Sequence, residues 1–289
     1  MDIQLLLVPY DTARRQWRSG AGPEHLLQAG LFQGRGHSVA DIQVIEADPD
    51  QPPTEIGTAF ELIRRVAVAV RTVRASGQFP VVLSGNCNSA VGTLSGLTPA
   101  RRAVFWFDAH GYCNTPDTTA TGFLDGMGLA TVLGLCWHQL AASIPGYHPV
   151  SPEVTFLLGA RDLDPPEDEF LAGSAITSAP VSQIPARLPE LLARAQLEDA
   201  LGYIHLDLDV LDPQVGQANS LPVRGGLSVE QLTAAIAAIR SRTQLGAAAI
   251  TSYAPEFDVQ QVVCRAAFAA LDAFLPTVPN QAMHVYRER

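Results

Sequence analysis

The stretch Phe105-Trp106-Phe107-Asp108-Ala109-His110 carries an apolar run directly into an aspartate and a histidine. A second stretch, His205-Leu206-Asp207-Leu208-Asp209, ends in two aspartates with the same spacing. Side chains two positions apart in a strand share a face, so the polar pair of each stretch points the same way. Ligands of open parallel sheets lie beyond the carboxyl ends of the strands. The two stretches therefore predict a parallel sheet with a polar site at two strand ends.

Similar apolar runs recur along the chain and alternate with segments of helical periodicity. Nearly continuous apolar runs are typical of strands covered on both faces. The predicted strands are Ile3–Val8, Pro80–Ser84, Ala103–Asp108, Val154–Gly159, Gly202–Asp207 and Ala247–Ser252. The predicted helices cover about 55–76, 88–97, 126–135, 186–197, 228–241 and 258–274. This alternation indicates an α/β fold with helices on both faces of the sheet.

The length of the chain fits one large domain. It has 289 residues, of which 47% are hydrophobic, and α/β domains reach this size undivided. The proline-rich piece Ala47–Thr54 indicates a surface loop, because a boundary there would leave fewer than about 50 residues on one side. We therefore expect a single domain over residues 1–289.

Charge and cysteine content exclude several classes of protein. The net charge is −10 and there is no run of Lys or Arg, which argues against nucleic-acid binding. No apolar run approaches the roughly 20 residues of a membrane helix, and the first residues do not resemble a signal peptide. The four cysteines form no Cys-x-x-Cys pair. We expect a cytoplasmic protein with reduced thiols and a small-molecule substrate, without nucleic-acid or membrane partners.

The polar side chains at the two strand ends are of the kind that bind metal ions. Three carboxylates and an imidazole in one place would leave the carboxylates repelling one another unless a cation lay between them. Oxygen and nitrogen ligands suit Mn²⁺, Zn²⁺ or Fe²⁺. Either motif alone more often marks a turn. Their occurrence together, each directly after an apolar strand, favours the metal site.

The sequence resembles the arginase–agmatinase–formiminoglutamase family, which shares its fold with the zinc histone deacetylases. Residues 108–116, Asp-Ala-His-Gly-Tyr-Cys-Asn-Thr-Pro, fall on the family's Asp-Ala-His-x-Asp-x-Asn-Thr-Pro. Residues 207–213 match Asp-x-Asp-x-x-Asp-Pro, and residues 84–87 fall on Gly-Gly-Asp-His. The resemblance implies a three-layer αβα sandwich around a mainly parallel sheet of about eight strands.

The resemblance also implies a ligand set. Family members bind two Mn²⁺ ions through two histidines and four aspartates. Four of these positions are kept, as Asp108, His110, Asp207 and Asp209. The other two are Cys87, in place of the histidine, and Tyr112, in place of an aspartate, and both losses fall on the same ion. We therefore expect one divalent ion, Mn²⁺ first with Zn²⁺ or Fe²⁺ as alternatives, and a second ion that is weak or absent. Cys87 remains a candidate ligand, although thiolate selects Zn²⁺ over Mn²⁺.

Further positions concern the substrate. The family's donors to an amino-acid substrate map onto Asn114 and Thr121, and its two acids that contact the α-amino group map onto Asp164 and Glu167. For these two acids, the first turn of a capped helix is an equally good interpretation. The family's proton-shuttling histidine falls on Asp125, which makes Asp125 and His110 the candidate catalytic residues.

One further departure concerns the guanidinium end of the substrate, and one further histidine lies next to a predicted ligand. The family's glutamate that pairs with a guanidinium falls on Ser252, and a neutral serine cannot form that charge-assisted pair. Glu256 lies four residues further on and is a weaker candidate for the same role. His205 shares a strand face with Asp207, and it either supports a ligand carboxylate or packs in the core.

These residues favour a metal-dependent hydrolase that cleaves a linear amidine or guanidino C–N bond in an arginine-like or modified-arginine substrate, such as a hydroxyguanidine. The nucleophile would be metal-bound hydroxide. Two alternatives remain open: a non-catalytic relative that binds a ligand or partner, and a mononuclear zinc amidohydrolase resembling the deacetylases. The resemblance further implies a homo-oligomer, a trimer or hexamer.

Overall fold

Eight parallel strands form the central sheet in the computed structural model, which describes residues 2–31, 39–50 and 54–275. The strands in chain order are β1 (Ile3–Val8), β2 (Tyr10–Asp11), β3 (Arg14–Arg15), β4 (Val39–Val44), β5 (Phe79–Ser84), β6 (Arg101–Phe107), β7 (Thr155–Leu158), β8 (Thr177–Ala179), β9 (Ala200–Asp207) and β10 (Gln244–Thr251). The sheet order is β4-β1-β5-β10-β9-β6-β7-β8, and β2 pairs with β3 in a separate hairpin.

Helices flank this sheet, as predicted for a three-layer α/β fold. They are α1 (Gly22–Gln28), α2 (Glu55–Ala75), α3 (Ser89–Gly96), α4 (Gly128–Val132), α5 (His138–Ala142), α6 (Pro165–Gly173), α7 (Ile184–Arg194), α8 (Val229–Arg240) and α9 (Val262–Phe274). Helix α2 packs on α3, while α8 packs on both α7 and α9. The prediction of one domain over residues 1–289 extends beyond the described residues and stays a prediction.

The six predicted strands are confirmed, and they are the six interior strands of the sheet. The two edge strands, β4 and β8, were not predicted. Strand β4 is largely exposed and carries polar residues, and β8 has only three residues, so neither shows a buried apolar run. The predicted helix over 126–135 is longer than observed, because α4 ends at Val132 and Gly134 adopts a positive φ of 77°.

Local sequence explains the long helices. Thr54 caps α2 by accepting from the Gly57 amide, and Ser228 and Gln231 form a capping box at the start of α8. Helix α3 approaches α2 closely at Gly92, where a Cβ would lie 2.4 Å from the Ile63 carbonyl oxygen. Among the described helices, none combines the length and hydropathy needed to cross a lipid bilayer.

Candidate metal centre

The adjacent strands β6 and β9 bring the two sequence motifs together. Their register pairs Phe107 with Leu206, so the residues that follow lie side by side at the carboxyl edge of the sheet. Asp108 comes directly after β6, and Asp207 is the last residue of β9. Both carboxylates are fully buried. The predicted convergence of the two strand ends is thus confirmed by the strand register.

A cluster of three ligand atoms lies at this edge. His110 Nδ1 is 3.3 Å from Asp108 Oδ1 and 3.3 Å from Asp209 Oδ2. Each of the three residues offers one ligand atom within 4.8 Å of the other two. Ligands about 2.1 Å from one ion are themselves separated by roughly 3.0–3.4 Å in octahedral or tetrahedral geometry. Both His110 separations fall in or near this range, so the three residues could hold one divalent cation once Nδ1 has lost its proton.

Three donors fix the two carboxylates of this cluster. Trp106 Nε1 donates to Asp108 Oδ2 at 3.0 Å. Asn219 Nδ2 donates to Asp209 Oδ2 at 3.1 Å, and the Ala109 amide donates to Asp209 Oδ1 at 3.1 Å. Partners of this kind orient ligand side chains and raise metal affinity. Strand alternation was sufficient to place Trp106 on the face of Asp108, but nothing local in the sequence identifies Asn219.

The electrostatics of the cluster favour a cation. Burial, followed by the charge of Asp209, raises the pKa of Asp108 to about 7. Burial alone would lower the pKa of His110, but its hydrogen bonds to Asp108 and Asp209 outweigh burial and raise that pKa to about 11. The protonated imidazole compensates the carboxylates when no metal ion is bound. A divalent cation would supply that charge instead.

Asp207 has different neighbours from the other predicted ligands. Its Oδ1 accepts from the Asp209 amide at 2.9 Å, and its Oδ2 accepts from Cys87 Sγ at 3.2 Å and from the Tyr112 hydroxyl at 3.3 Å. Within the described residues, Asp207 joins neither of the two groups of metal-capable ligand atoms. The structure therefore brings three of the five predicted ligands into one cluster, and Asp207 and Cys87 lie outside it.

Cys87 is completely buried and is surrounded by hydrogen-bonding groups. Its Sγ lies 3.2 Å from the Asp207 carboxylate and 3.2 Å from each of the hydroxyls of Thr251 and Ser252. Burial, and then the charge of Asp207, raise the pKa of this thiol well above its ordinary value. The sulfur also forms a group of metal-capable atoms with Asp108 and His205. A protonated thiol is nevertheless a poor ligand for Mn²⁺.

Tyr112 occupies the other position that departs from the family. Its ring centroid lies 5.5 Å from that of Trp106, its side chain is buried, and its φ of 55° is in the left-handed region. Burial raises the pKa of the phenol well above its ordinary value, so the hydroxyl remains a donor. Two neutral donors on one Asp207 oxygen do not fit a second Mn²⁺ ion at this position.

His205 packs in the core. Its Nδ1 lies 2.9 Å from the Tyr203 hydroxyl, its Nε2 lies 3.3 Å from the Thr251 hydroxyl, and its ring stacks on Trp106 at 3.8 Å. Burial lowers its pKa to about 3, so the ring is neutral. Of the two interpretations made from the sequence, the geometry favours core packing. Among the described residues, its metal-capable neighbours are Cys87 and Asp108.

A cavity of about 160 Å³ opens beside the metal centre. The predicted substrate residues all line it, together with His110 and Tyr112: Asn114, Thr121, Asp164 and Glu167. Asn114 Nδ2 donates to Asp164 Oδ2 at 2.8 Å, so two of these residues already contact each other. The structure thus gathers the predicted substrate residues around one cavity.

Asp164 and Glu167 also form a capping box at the start of α6. The Asp164 amide donates to Glu167 Oε2 at 3.0 Å, and the Cys113 amide donates to Glu167 Oε1 at 2.9 Å. The helix-cap interpretation is therefore confirmed, and contact of these two acids with a substrate stays a prediction. Glu167 is occupied by backbone donors, whereas Asp164 is more accessible.

Asp125 faces the loop between β5 and α3. Its two oxygens accept from Cys87 N at 3.0 Å, Asn88 N at 2.7 Å and Asn86 Nδ2 at 3.1 Å. Only 4% of the residue is exposed, and it is not among the residues that line the cavity. Its predicted role as a proton carrier stays a prediction. Its contacts anchor the loop between β5 and α3.

Ser252 and Glu256, the two residues considered for the guanidinium end of the substrate, do not line the cavity. Ser252 is buried with a φ of 60°, and its hydroxyl is turned to Cys87. Glu256 is exposed and does not line the cavity. Neither residue places a carboxylate where a guanidinium would need one.

Comparison with known proteins agrees with the geometry. A model of the Arginase family matches residues 1–275. The arginase of Bacillus caldovelox is 31% identical over 252 residues, covering 79% of this chain and 83% of that protein. The arginase of Brevibacillus brevis is 30% identical over 289 residues, covering 94% and 97%. The crystal structure of arginase from Bacillus subtilis superposes with a TM-score of 0.85 at 25% identity, covering 96% of this chain and 99% of that one. The sequence motifs, the sheet order and these matches agree, and the chain belongs to the arginase family, whose members are hydrolases of C–N bonds in linear amidines.

Proposed function

We propose that this chain hydrolyses a guanidino C–N bond in an arginine-like or modified-arginine substrate and uses one divalent ion, Mn²⁺ first with Zn²⁺ or Fe²⁺ as alternatives. The observation that carries the proposal is the cluster of Asp108, His110 and Asp209 beside a cavity that His110 itself lines. Three metal-capable ligand atoms next to an open cavity with acidic residues in its lining support metal-assisted hydrolysis.

The residues of the cluster would hold the ion. Such an ion would supply Lewis acidity, which makes water a nucleophile near neutral pH. Trp106 and Asn219 keep the two carboxylates in position, and Asp207 holds the Asp209 backbone through the amide hydrogen bond. Each of these contacts reduces the reorganisation needed when the ion binds.

The cavity wall favours a substrate with an amino group. Three acids line it, Asp162, Asp164 and Glu167, and the lining contains no lysine or arginine. This negative wall would attract an ammonium group, while the amide of Asn114 and the hydroxyl of Thr121 can donate to a carboxylate. An amino-acid end on the substrate fits this combination.

The reacting end is where we propose a difference from arginine itself. Ser252 cannot form a charge-assisted pair with a guanidinium, and its hydroxyl is already turned to Cys87. A less basic guanidino derivative, such as a hydroxyguanidine, depends less on such a pair. We therefore propose that modified arginines are better substrates than arginine.

Metal quantification followed by a substrate screen tests the proposal. Protein purified without chelator should hold close to one ion per chain, and Asp209→Ala should lose it while Asp117→Asn, which is exposed and outside the cavity lining, keeps it. Manganese-loaded protein should then release urea or a urea derivative from a modified arginine faster than from arginine.

Three outcomes would redirect the proposal. Zinc with turnover only of acylated amines would indicate a deacetylase-like amidohydrolase. Bound metal with no turnover of any guanidino or acyl-amine compound would indicate a non-catalytic relative. Arginase-like turnover of arginine would show that Ser252 does not matter. The cytoplasmic location and the trimer or hexamer stay predictions.

A further inference from the structure

A positively charged groove lies at the opposite edge of the sheet from the metal centre. Its volume is about 630 Å³, and it is lined by Arg71, Thr98, Pro99, Ala100, Arg101, Arg102, Gly146 and His148. Two of its arginines open β6, whose other end leads into Asp108. A strand of seven residues spans roughly 20 Å. The groove is therefore separate from the cavity beside the metal centre.

Arg102 is the buried member of the groove, with 8% of its surface exposed. Its Nη1 donates to the Leu94 carbonyl at 3.2 Å, and its Nη2 donates to the His148 carbonyl at 3.0 Å. Its Nε is buried and has no hydrogen-bond partner among the described residues. Leaving a buried charged donor unpaired is costly, so an arginine in this state needs a further acceptor.

Arg71 reaches the groove from α2. Its Nη2 donates to the Pro145 carbonyl at 3.0 Å and to the Ser95 carbonyl at 3.4 Å. A Cβ on Gly146 would lie 2.0 Å from this nitrogen, so only glycine permits the approach. No bond to Nε or Nη1 of Arg71 occurs within the described chain, which leaves one edge of the guanidinium for a ligand.

The groove lacks a compensating negative charge. In the part of the chain that is described, no carboxylate lies within 4.0 Å of Arg71, Arg101 or Arg102. Carbonyl oxygens satisfy N–H groups but do not neutralise charge. Three uncompensated guanidinium groups are unusual in a chain whose net charge is −10.

Helix capping explains only part of this arrangement. Arg102 and Arg71 donate to the carbonyls of Leu94 and Ser95, in the last turn of α3, where cations are favourable. That role does not account for the unpartnered Nε of Arg102. It also does not account for Arg101, whose Nη1 donates to the Gln196 carbonyl instead.

We propose that this groove binds a small oxyanion with two or more negative charges, of which inorganic phosphate is the simplest. Guanidinium groups match the oxygen spacing of phosphate and form charge-assisted hydrogen bonds with it. The site is independent of the metal centre and of the proposed hydrolase activity.

Phosphate binding can be measured by calorimetry and by thermal melting, in potassium phosphate against potassium chloride of equal ionic strength. The unmodified protein should show saturable binding and a rise in Tm that follows it. Arg102→Gln and Arg71→Gln should each weaken binding by about tenfold or more, since a charge-assisted hydrogen bond contributes roughly 1.5–3 kcal/mol. Arg71 is exposed, so its variant should fold even if Arg102→Gln does not.

Arg187→Gln provides the matched control, because Arg187 is exposed on α7 outside the groove and contacts Gln183. It should leave phosphate binding unchanged. Equal binding by all variants, or a phosphate effect that never saturates, would overturn the proposal. So would a change in oligomeric mass on Arg71→Gln without any phosphate binding, since the groove would then receive acidic side chains from a second copy.

Discussion

The hydroxyl of Tyr112 donates to Asp207 Oδ2 across 3.3 Å, on the same oxygen that accepts from the thiol of Cys87. These two donors stand at the positions where the family provides a histidine and an aspartate as metal ligands. In this chain, both positions supply a neutral hydrogen-bond donor to Asp207. The carboxylate of Asp207 is satisfied without a second ion, while the neighbouring cluster retains its ligand atoms.

Restoring both ligands should therefore restore a second ion. The double variant Tyr112→Asp with Cys87→His removes both neutral donors and adds a carboxylate and an imidazole, which suit Mn²⁺. We expect the manganese content after dialysis to rise from close to one to close to two ions per chain, measured by elemental analysis.

Tyr112→Phe is the matched control, because it deletes the donor and keeps the buried ring. It should still bind close to one ion. Two tightly bound ions in the unmodified protein would show that the hydrogen bonds from Tyr112 and Cys87 to Asp207 do not prevent a second ion from binding.

Trp106 is expected to act on the metal through Asp108. Its Nε1 donates to Asp108 Oδ2 at 3.0 Å, and Trp106→Phe removes that donor while keeping an aromatic ring. Loss of such a supporting hydrogen bond typically weakens metal binding by about 10- to 100-fold. The metal affinity should be measured by competition with a chelator.

Trp137→Phe serves as the comparison, since the buried Nε1 of Trp137 has no partner in the described chain. Its effect on metal affinity should be negligible. Similar losses in both variants would mean that Trp106 contributes packing rather than orientation.

Asp125 is expected to contribute mainly to stability. It accepts hydrogen bonds from Cys87, Asn88 and Asn86, and Asp125→Asn turns one of its oxygens into a donor that faces an N–H group. An unsatisfied buried donor costs about 1–3 kcal/mol. The free energy of unfolding, measured by urea denaturation of the metal-loaded protein, should fall by that amount.

The exposed Asp117→Asn is the control and should leave the free energy of unfolding unchanged. A different result for Asp125→Asn would support its predicted role as a proton carrier. If Asp125→Asn unfolds at the same urea concentration as the unmodified protein and yet loses turnover, Asp125 carries a proton.

How much of the fold could be predicted depended on burial. The six interior strands have continuous apolar runs because both of their faces are covered, and β5 is buried at every position. The edge strands β4 and β8 have one neighbour each, and their sequences are polar or short. Periodicity cannot separate such strands from loops.

The candidate site likewise combines residues that could be predicted from the sequence with residues that could not. Alternation along two strands placed Asp108 with His110, and the strand register then brought Asp209 to them. Asn219 and Arg161 were not predicted, because each reaches the site from a loop whose path depends on tertiary contacts. The position of Asp207 could not be predicted from the sequence either, because it depends on hydrogen bonds from Cys87 and Tyr112.

Arg161 offers a last test of how the loops position the metal cluster. Its guanidinium donates to five carbonyl oxygens in three segments, those of Gly159, Asp209, Leu211, Val223 and Arg224. A lysine has one ammonium group with three donors and cannot span these segments. Arg161→Lys should therefore lower the free energy of unfolding by about 1–3 kcal/mol, through the carbonyls left unsatisfied. Metal affinity should fall with it, because the Asp209 carbonyl is among those released.

Arg187→Lys, on the exposed face of α7, should change neither quantity. Full metal affinity in Arg161→Lys would mean that the carboxylate of Asp209 is held by Asn219 and the Ala109 amide alone.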